Sequence, residues 1–308
     1  MPSVSSLGEA SELLAAAHAE GRRVRIGNEL TTEGLDRVLE HEAGDLTCTV
    51  EAGVRLATLN RALALHAQRL SLDPPGDPTI GALLAGNLSG PLRHRFGAAR
   101  DLVLGVTLVL ADGTVASAGG KVVKNVAGYD LARLVCGSRG RLALIARASL
   151  RLHPIPKASR TVVVEVDPPY AVAPLVAAVL RSQLEPSAVD VLHPGHLAVL
   201  FEGSPAAVDT QVEAAERIVR SSTGFVTISH KADVWDESRR RQEASRGRLR
   251  FAPGDLAAAL RSTSEAVLRP AAGVAYLPVT APDDTAPAVR RLEEAIRAQL
   301  DPNGLFAS

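Results

Sequence analysis

Three glycine-rich segments in the first half of the chain constrain its fold more than any other feature. They are residues 73–90 (DPPGDPTIGALLAGNLSG), 119–130 (GGKVVKNVAGYD) and 137–145 (GSRGRLALI). Each adjoins a stretch that reads as strand or helix. Loops without Cβ atoms let a backbone approach a ligand closely, and successive N–H groups then form a concave anion site. One such loop is weak evidence, because most glycines only make turns. Three beside regular elements point to a bound dinucleotide, with the hydroxyls of Thr79 and Ser138 as further donors to phosphate.

The common nucleotide signatures are absent. No G-x-G-x-x-G follows a strand, and Gly119-Gly120-Lys121 lacks the remaining residues of a Walker A motif. No G-x-S-x-G elbow occurs. A Rossmann dehydrogenase and a P-loop NTPase are therefore disfavoured. The chain carries 34 Lys+Arg against 34 Asp+Glu, and this neutrality argues against nucleic acid as a partner. Cys48 and Cys136 are the only cysteines, too few for an iron–sulfur cluster or a thiolate zinc site. They read as buried free thiols. The first twenty residues lack the pattern of a signal peptide, and no apolar run reaches the ~18–20 residues of a membrane span. The expectation is a cytoplasmic chain with no direct membrane insertion.

With 308 residues, of which 46% are hydrophobic, one large or two medium domains fit. Residues 7–20 read as a helix, 23–26 and 46–51 as strands, and the leucines after Gly53 as a second helix. The apolar run 102–110 reads as a strand that returns over 115–118 through the Asp112-Gly113 turn. A short helix follows around 130–135, and 141–152 alternates as a strand. The prolines of HPIP, 153–156, mark the domain boundary. Beyond it the order is strand 161–166, helix 174–184, hairpin 189–201, helix 208–221 and strand 225–229. This β-α-β-β-α-β order suggests a ferredoxin-like α+β unit. A last amphipathic helix spans 285–300.

The string GGKVVKNVAGYDLARLVCGS (119–138), with KNVAGYD at its centre, resembles the FAD-binding family of the vanillyl-alcohol-oxidase, or PCMH, type. Within it, the chain is most similar to the FAD-binding accessory subunits of bacterial glycolate oxidases. PTIGALLAGNLSGP (78–91), FGAARDLVLGVTLVLADG (96–113), LHPIP (152–156) and LDPNGLF (300–306) support the resemblance, which is strong over 72–156 and loose over 160–290. It implies an α+β fold: a PCMH-type FAD domain of two α/β subdomains over 1–156, then a ferredoxin-like cap over 157–308. Segment 300–308 is a candidate to return to the FAD domain. The implied cofactor is FAD. The implied contacts are Gly27, Asn28, Pro75, Gly76, Thr79, Ile80, Gly81, Asn87, Tyr129, Asp130, Gly137, Ser138, Gly140, Leu144 and Ile145. The implied partners are a catalytic flavoprotein subunit and an iron–sulfur subunit.

The sequence departs from the family pattern at three places. Gly81-Ala82 replaces a double glycine. Gly140-Arg141-Leu142-Ala143 replaces a second glycine pair. The first phosphate loop is shortened to Arg25-Ile26-Gly27-Asn28-Glu29. Glu29 beside two phosphates is unfavourable unless it points away, while Arg25 or Arg141 offers a compensating charge. A flavin-free scaffold and a stand-alone flavin oxidoreductase therefore remain rival readings.

Other residues carry open alternatives. His193 and His196 (HPGH) read as an exposed hairpin turn in preference to a metal pair. His94 is either a surface loop residue or faces the flavin. Lys121 and Lys124 are surface charges or phosphate partners. Trp235 belongs to the core or to the flavin cleft. The arginines of 238–250 form a solvated helix face or dock an acidic partner. No histidine cluster suited to hydroxy-acid oxidation is visible, so removal of the hydroxyl proton is assigned to the partner subunit.

Overall fold

The apolar residues of 103–109 pair with 115–119 through the turn that Asp112 and Gly113 build: Gly113 donates to the Leu110 carbonyl, Leu110 donates to the Thr114 carbonyl, and the Asp112 carboxylate accepts the Thr114 amide. The computed structural model describes residues 3–120, 130–222, 226–281 and 285–306. Fourteen strands are described. The first seven are β1 (Val38–Glu42), β2 (Thr47–Glu51), β3 (Gln68–Arg69), β4 (Val103–Val109), β5 (Val115–Gly119), β6 (Leu144–Arg151) and β7 (His153–Pro154). The others are β8 (Ala158–Val166), β9 (Ala188–His193), β10 (His196–Gly203), β11 (Val226–Ser229), β12 (Gly247–Arg250), β13 (Ala266–Arg269) and β14 (Val274–Leu277). The helices are α1 (Leu7–Ala19), α2 (Leu56–Ala64), α3 (Ile80–Ala85), α4 (Arg93–Phe96), α5 (Ala99–Leu102), α6 (Leu131–Val135), α7 (Val172–Arg181), α8 (Pro205–Ser222), α9 (Val234–Glu243), α10 (Leu256–Arg261) and α11 (Pro287–Leu300).

Two sheets organise these elements. The first has the order β1-β2-β6-β4-β5, so β6 is central although it comes last in sequence. Apolar clusters cover both of its sides. One joins Cys48, Leu59, Leu63, Ile80, Leu83, Leu102 and Leu150. The other joins α1 to Val109, Leu144 and Ala146, and Leu305 and Phe306 complete it. The Asp301 carboxylate accepts the amides of Leu305 and Phe306, and Val24 donates to the Leu305 carbonyl.

The second sheet has the order β11-β8-β10-β9-β13-β14-β12. Its first four strands, with α7 and α8, have the antiparallel ferredoxin-like arrangement anticipated from the order of elements. The strands β13, β14 and β12 extend it beyond β9. One face packs on α7, α8 and α10 through Val164, Val176, Leu197 and Phe201. The opposite face carries Trp235, Val267, Val274 and Tyr276 and turns toward the first unit.

Several expected elements differ. Residues 23–26 make only isolated bridges, Val24 to Phe306 and Ile26 to Leu30, because each has a single short backbone partner. Strand β1 went unread, since most of its side chains stay exposed or half-exposed. The charged strand β12, and β13 and β14, likewise lie in a stretch where no strand was expected. Both cysteines are free thiols: Cys48 is buried, and Cys136 is only half-buried. Among the described residues, no helix is long and apolar enough to cross a membrane.

The units also meet through a bidentate ion pair. Arg69 donates to both Glu202 oxygens at 2.9 and 2.7 Å, and its guanidinium lies over the Phe96 ring. Both side chains are largely buried. Glu202→Ala strands the Arg69 charge and is expected to cost about 1.5–3 kcal/mol. Urea unfolding checks this; an unchanged midpoint would contradict it.

Candidate functional site

Backbone hydrogen bonds bring the glycine-rich segments 73–90 and 137–145 together, Gly137 donating to Leu84 and Arg139 to Ala85. Ala146 interrupts the β4–β6 register, and its carbonyl accepts the Ala52 amide at 2.9 Å. The Ala52 carbonyl in turn accepts the Gly81 amide at 2.7 Å. A Cβ on Gly81 would meet the Ala52 Cβ and carbonyl at 3.1 and 3.2 Å. Gly81 thus serves packing, while Ala82 is exposed at the groove. Gly140 has φ +75°, and a Cβ there would lie 3.0 Å from the Ile26 Cβ. The first and third loops touch at this point. Gly137 approaches Asn87, which is itself in the left-handed region and accepts the Arg100 amide.

Two cavities flank the third loop. One, of about 480 Å³, is lined by Ile26, Gly27, Thr31, Thr32, Glu33, Arg55, Thr79, Gly81, Ala82, Arg139, Gly140 and Ile145, among others. The second, of about 760 Å³, lies between Asp130, Cys136, Gly137, Ser138 and Arg141 on one side and α11 on the other. Both fall in the size range of cofactor pockets, about 300–1,000 Å³.

The expected contact residues divide accordingly. Gly27, Thr79, Gly81, Gly140 and Ile145 line the first cavity. Asp130, Gly137 and Ser138 line the second. Ile80 and Leu144 are fully buried in apolar clusters, and Asn28 lies in a turn closed on Arg25. Pro75 and Gly76 stand outside both cavities, with Gly76 facing Glu243 of α9. Tyr129, Lys121 and Lys124 lie outside the described residues.

The loops differ in what they offer an anion. The first is closed on itself: Gly27 donates to Leu30, while Asn28, Glu29 and Leu30 donate to Arg25. Glu29 accepts the Arg25 amide and pairs with its guanidinium. The carboxylate is thereby held within its own turn and outside the residues that line the groove. At α3 the amides of Ile80, Gly81 and Ala82 are taken by Val54, Ala52 and the Thr79 hydroxyl. These two segments therefore form walls and not the expected amide cradles. The third loop keeps more in reserve. Gly137, Ser138, Arg139 and Arg141 donate to the Leu84, Val135, Ala85 and Ser138 carbonyls, and the Gly140 and Leu142 amides stand outside that set. The Ser138 Oγ is buried without a hydrogen-bond partner among the described residues. Such an orphan is costly unless a ligand or water meets it. Arg100, Arg133 and Arg141 bring positive charge to the same cavity, with Arg133 paired to Asp130 and with Glu293 and Glu294 of α11 also in the lining. These donors and cations suit a diphosphate. Burial pushes the Cys136 thiol up to about 12, so it lines the cavity as a thiol and not as a thiolate.

Residues 4–119 match the family described as "FAD binding domain". That part of the chain is thus similar to FAD-binding domains. It is 31% identical to glycolate oxidase subunit GlcD of Bacillus subtilis over 198 residues, covering 63% of this chain and 42% of that protein. It is 36% identical to glycolate oxidase subunit GlcE of Escherichia coli over 142 residues, covering 44% and 41%. The mitochondrial D-lactate dehydrogenase (cytochrome) 1 of Saccharomyces cerevisiae is 30% identical over 171 residues, covering 54% and 29%. The aligned regions thus span less than half the length of each of these relatives. A solved alkyldihydroxyacetonephosphate synthase superposes with a TM-score of 0.74 at 14% identity, covering 99% of this chain and 74% of that one. This likeness shows the PCMH-type fold.

A second set of polar residues, unread as a group in the sequence, lies at the seam between the units. Asp73 accepts the Leu92 amide at 3.0 Å and faces Arg239 at 3.5 Å. Asp190 accepts from Ser238 at 2.5 Å and pairs with Arg269 at 3.3 Å. Gln242 donates to the Ser89 carbonyl and accepts from Arg269. The arginine run is therefore not one solvated face: Arg239 is partly buried at the seam, while Arg240 stays exposed. Local composition hid this, but the spacing Trp235, Ser238, Arg239, Gln242 marks one helix face. Trp235 is core, and its Nε1 donates to the Thr161 hydroxyl. His94 is half-buried near the seam, and burial lowers its pKa. His193 and His196 flank a tight turn, which is not the exposed one expected, because His193 at the end of β9 is buried; no metal-binding group of three or more occurs among the described residues.

Two experiments follow from these contacts. Ser138→Ala removes a hydroxyl with no partner among the described residues. It is expected to leave the flavin-free fold as stable as before and to weaken FAD binding roughly 3–10-fold, read by quenching of flavin fluorescence. Equal affinity would remove Ser138 from the site. Burial raises the Asp73 carboxyl to about 7, against the opposing pull of Arg269 and Arg239. The folded state then binds more protons than the unfolded one between about pH 4 and about 7. Asp73 accordingly contributes stability at low pH that is lost as pH rises through about 7. Urea titrations at about pH 5 and about pH 8 should differ less in Asp73→Asn than in the wild type. An unaltered difference excludes this titration.

Proposed function

We propose that this chain is the FAD-binding accessory subunit of a glycolate-oxidase-like, 2-hydroxy-acid oxidoreductase complex. Residues 1–156 form the flavin unit and 157–308 the cap, with 300–308 returning to the first. The observation that carries the reading is the convergence of the 25–29 loop and the glycine-rich segments 73–90 and 137–145 on one groove, with the similarity to GlcE beside it. Bound FAD supplies a two-electron acceptor. Ser138 and Arg141 of the second cavity would hold its diphosphate, and Gly27, Thr79 and Gly140 line the first cavity on the other side of the same loop.

Oxidation of a hydroxy acid also needs a base for the hydroxyl proton. The seam carboxylates Asp73 and Asp190 are both engaged by arginines. This supports a division of labour, in which a catalytic flavoprotein oxidises the acid and this subunit supports it or relays electrons toward an iron–sulfur subunit. The complex resides in the cytoplasm, with any membrane association through its partners. Similarity to D-lactate dehydrogenases favours a second reading, a stand-alone FAD-dependent hydroxy-acid oxidoreductase.

Visible absorption separates these readings. The purified chain with FAD should show a flavin spectrum near one equivalent. Glycolate and D-lactate should leave it unbleached until partner subunits are added. Bleaching by the chain alone would establish the stand-alone enzyme. No uptake from excess FAD would leave a flavin-free structural subunit.

A further inference from the structure

We propose that α9 is a two-point clamp on the glycine-rich segment 73–90 and that Gln242 is a positioning residue for the flavin groove. The proposal rests on the FAD reading of that groove. Segment 73–90 has a middle and two ends. Its middle, Thr79 to Gly86, walls the first cavity. Both ends point the other way, to a single helix of the second unit. At one end Asp73 faces Arg239, and Gly76 lies beside Glu243. At the other, the Ser89 carbonyl accepts the Gln242 side-chain amide at 2.9 Å.

Gln242 is fixed from behind. Its Oε1 accepts from Arg269 Nη2 at 2.7 Å. Arg269 is 2% exposed, pairs with the fully buried Asp190, and lies over the Tyr276 ring. The amide therefore cannot swing without breaking a buried contact. An amide is also the side chain that fits: it accepts from Arg269 on one atom and donates to Ser89 on the other. One residue, Leu88, separates Ser89 from Asn87, which abuts Gly137 of the third loop. Displacement at Ser89 is therefore transmitted to the contact between the second and third loops. Asp73 adds a pH-sensitive end, facing Arg239 directly with Arg269 and Asp190 behind it.

Gln242→Glu isolates the positioning role. The carboxylate keeps the bond to Arg269 and strengthens it, but it cannot donate to Ser89. Hydrogen exchange over 73–90 in the flavin-free chain is expected to accelerate at least several-fold, while β6 stays protected. The dissociation constant for FAD, from fluorescence quenching, is expected to rise about 5-fold or more, with an altered visible circular dichroism of bound flavin. Gln242→Met should do the same, and Arg239→Gln should loosen the end near Asp73. Arg240→Gln, on the exposed side of α9, should match the wild type. Unchanged exchange in Gln242→Glu overturns the clamp. Faster exchange with unchanged FAD affinity overturns the positioning role. A wild-type chain that takes up no FAD overturns the groove reading and with it the positioning role, while exchange alone still decides the clamp.

Discussion

Strand β6 is the constraint on which the rest of the structure depends. It lies between β2 and β4, and Leu144, Ile145, Ala146, Ala148 and Leu150 along it are buried in one apolar cluster or the other. The third glycine-rich loop runs into one end, and the crossing to the second sheet leaves from the other. The same strand carries the irregularity at Ala146 whose carbonyl holds Ala52, and through it Gly81. Strand β6 thus sets both the spacing of the groove walls and the point at which the second unit departs.

The groove is not a family pattern with a few glycines missing. Its first two segments use their amides internally and act as walls. Unspent polar groups are concentrated on the third loop, beside Arg141. The replacement of Gly by Ala at 82 is tolerable on this arrangement, because that residue presents a methyl to open groove while Gly81 carries the close packing. Glu29 is compatible for a different reason: its charge is neutralised by Arg25 within the same turn.

How much of this was legible follows from the range of the forces involved. Helix α1, the Asp112-Gly113 hairpin and the ferredoxin-like order are specified by local periodicity and turn chemistry, and they were readable. Strand β1 and strands β12 to β14 were not, because edge exposure and the charges of Arg248, Arg250 and Arg269 break the apolar alternation. The loops were visible as glycine, but whether an amide is spent depends on partners such as Ala52 and Val54, which local spacing does not reveal. The seam was harder still. Asp73, Asp190, Gln242 and Arg269 come from four separate segments, and only the fold makes them neighbours. The arginine run misled because composition says nothing about which turn of a helix faces inward.

One residue of that helix has an optical consequence. Trp235 is the single tryptophan in the chain, and it sits buried at the root of α9 with its indole N–H held by Thr161. Only three tyrosines accompany it in the sequence. Ultraviolet emission from this protein therefore comes chiefly from one fixed place, within the helix that reaches across the seam. The molecule carries its own reporter of how the two sheets sit together, one that needs no label and no substitution.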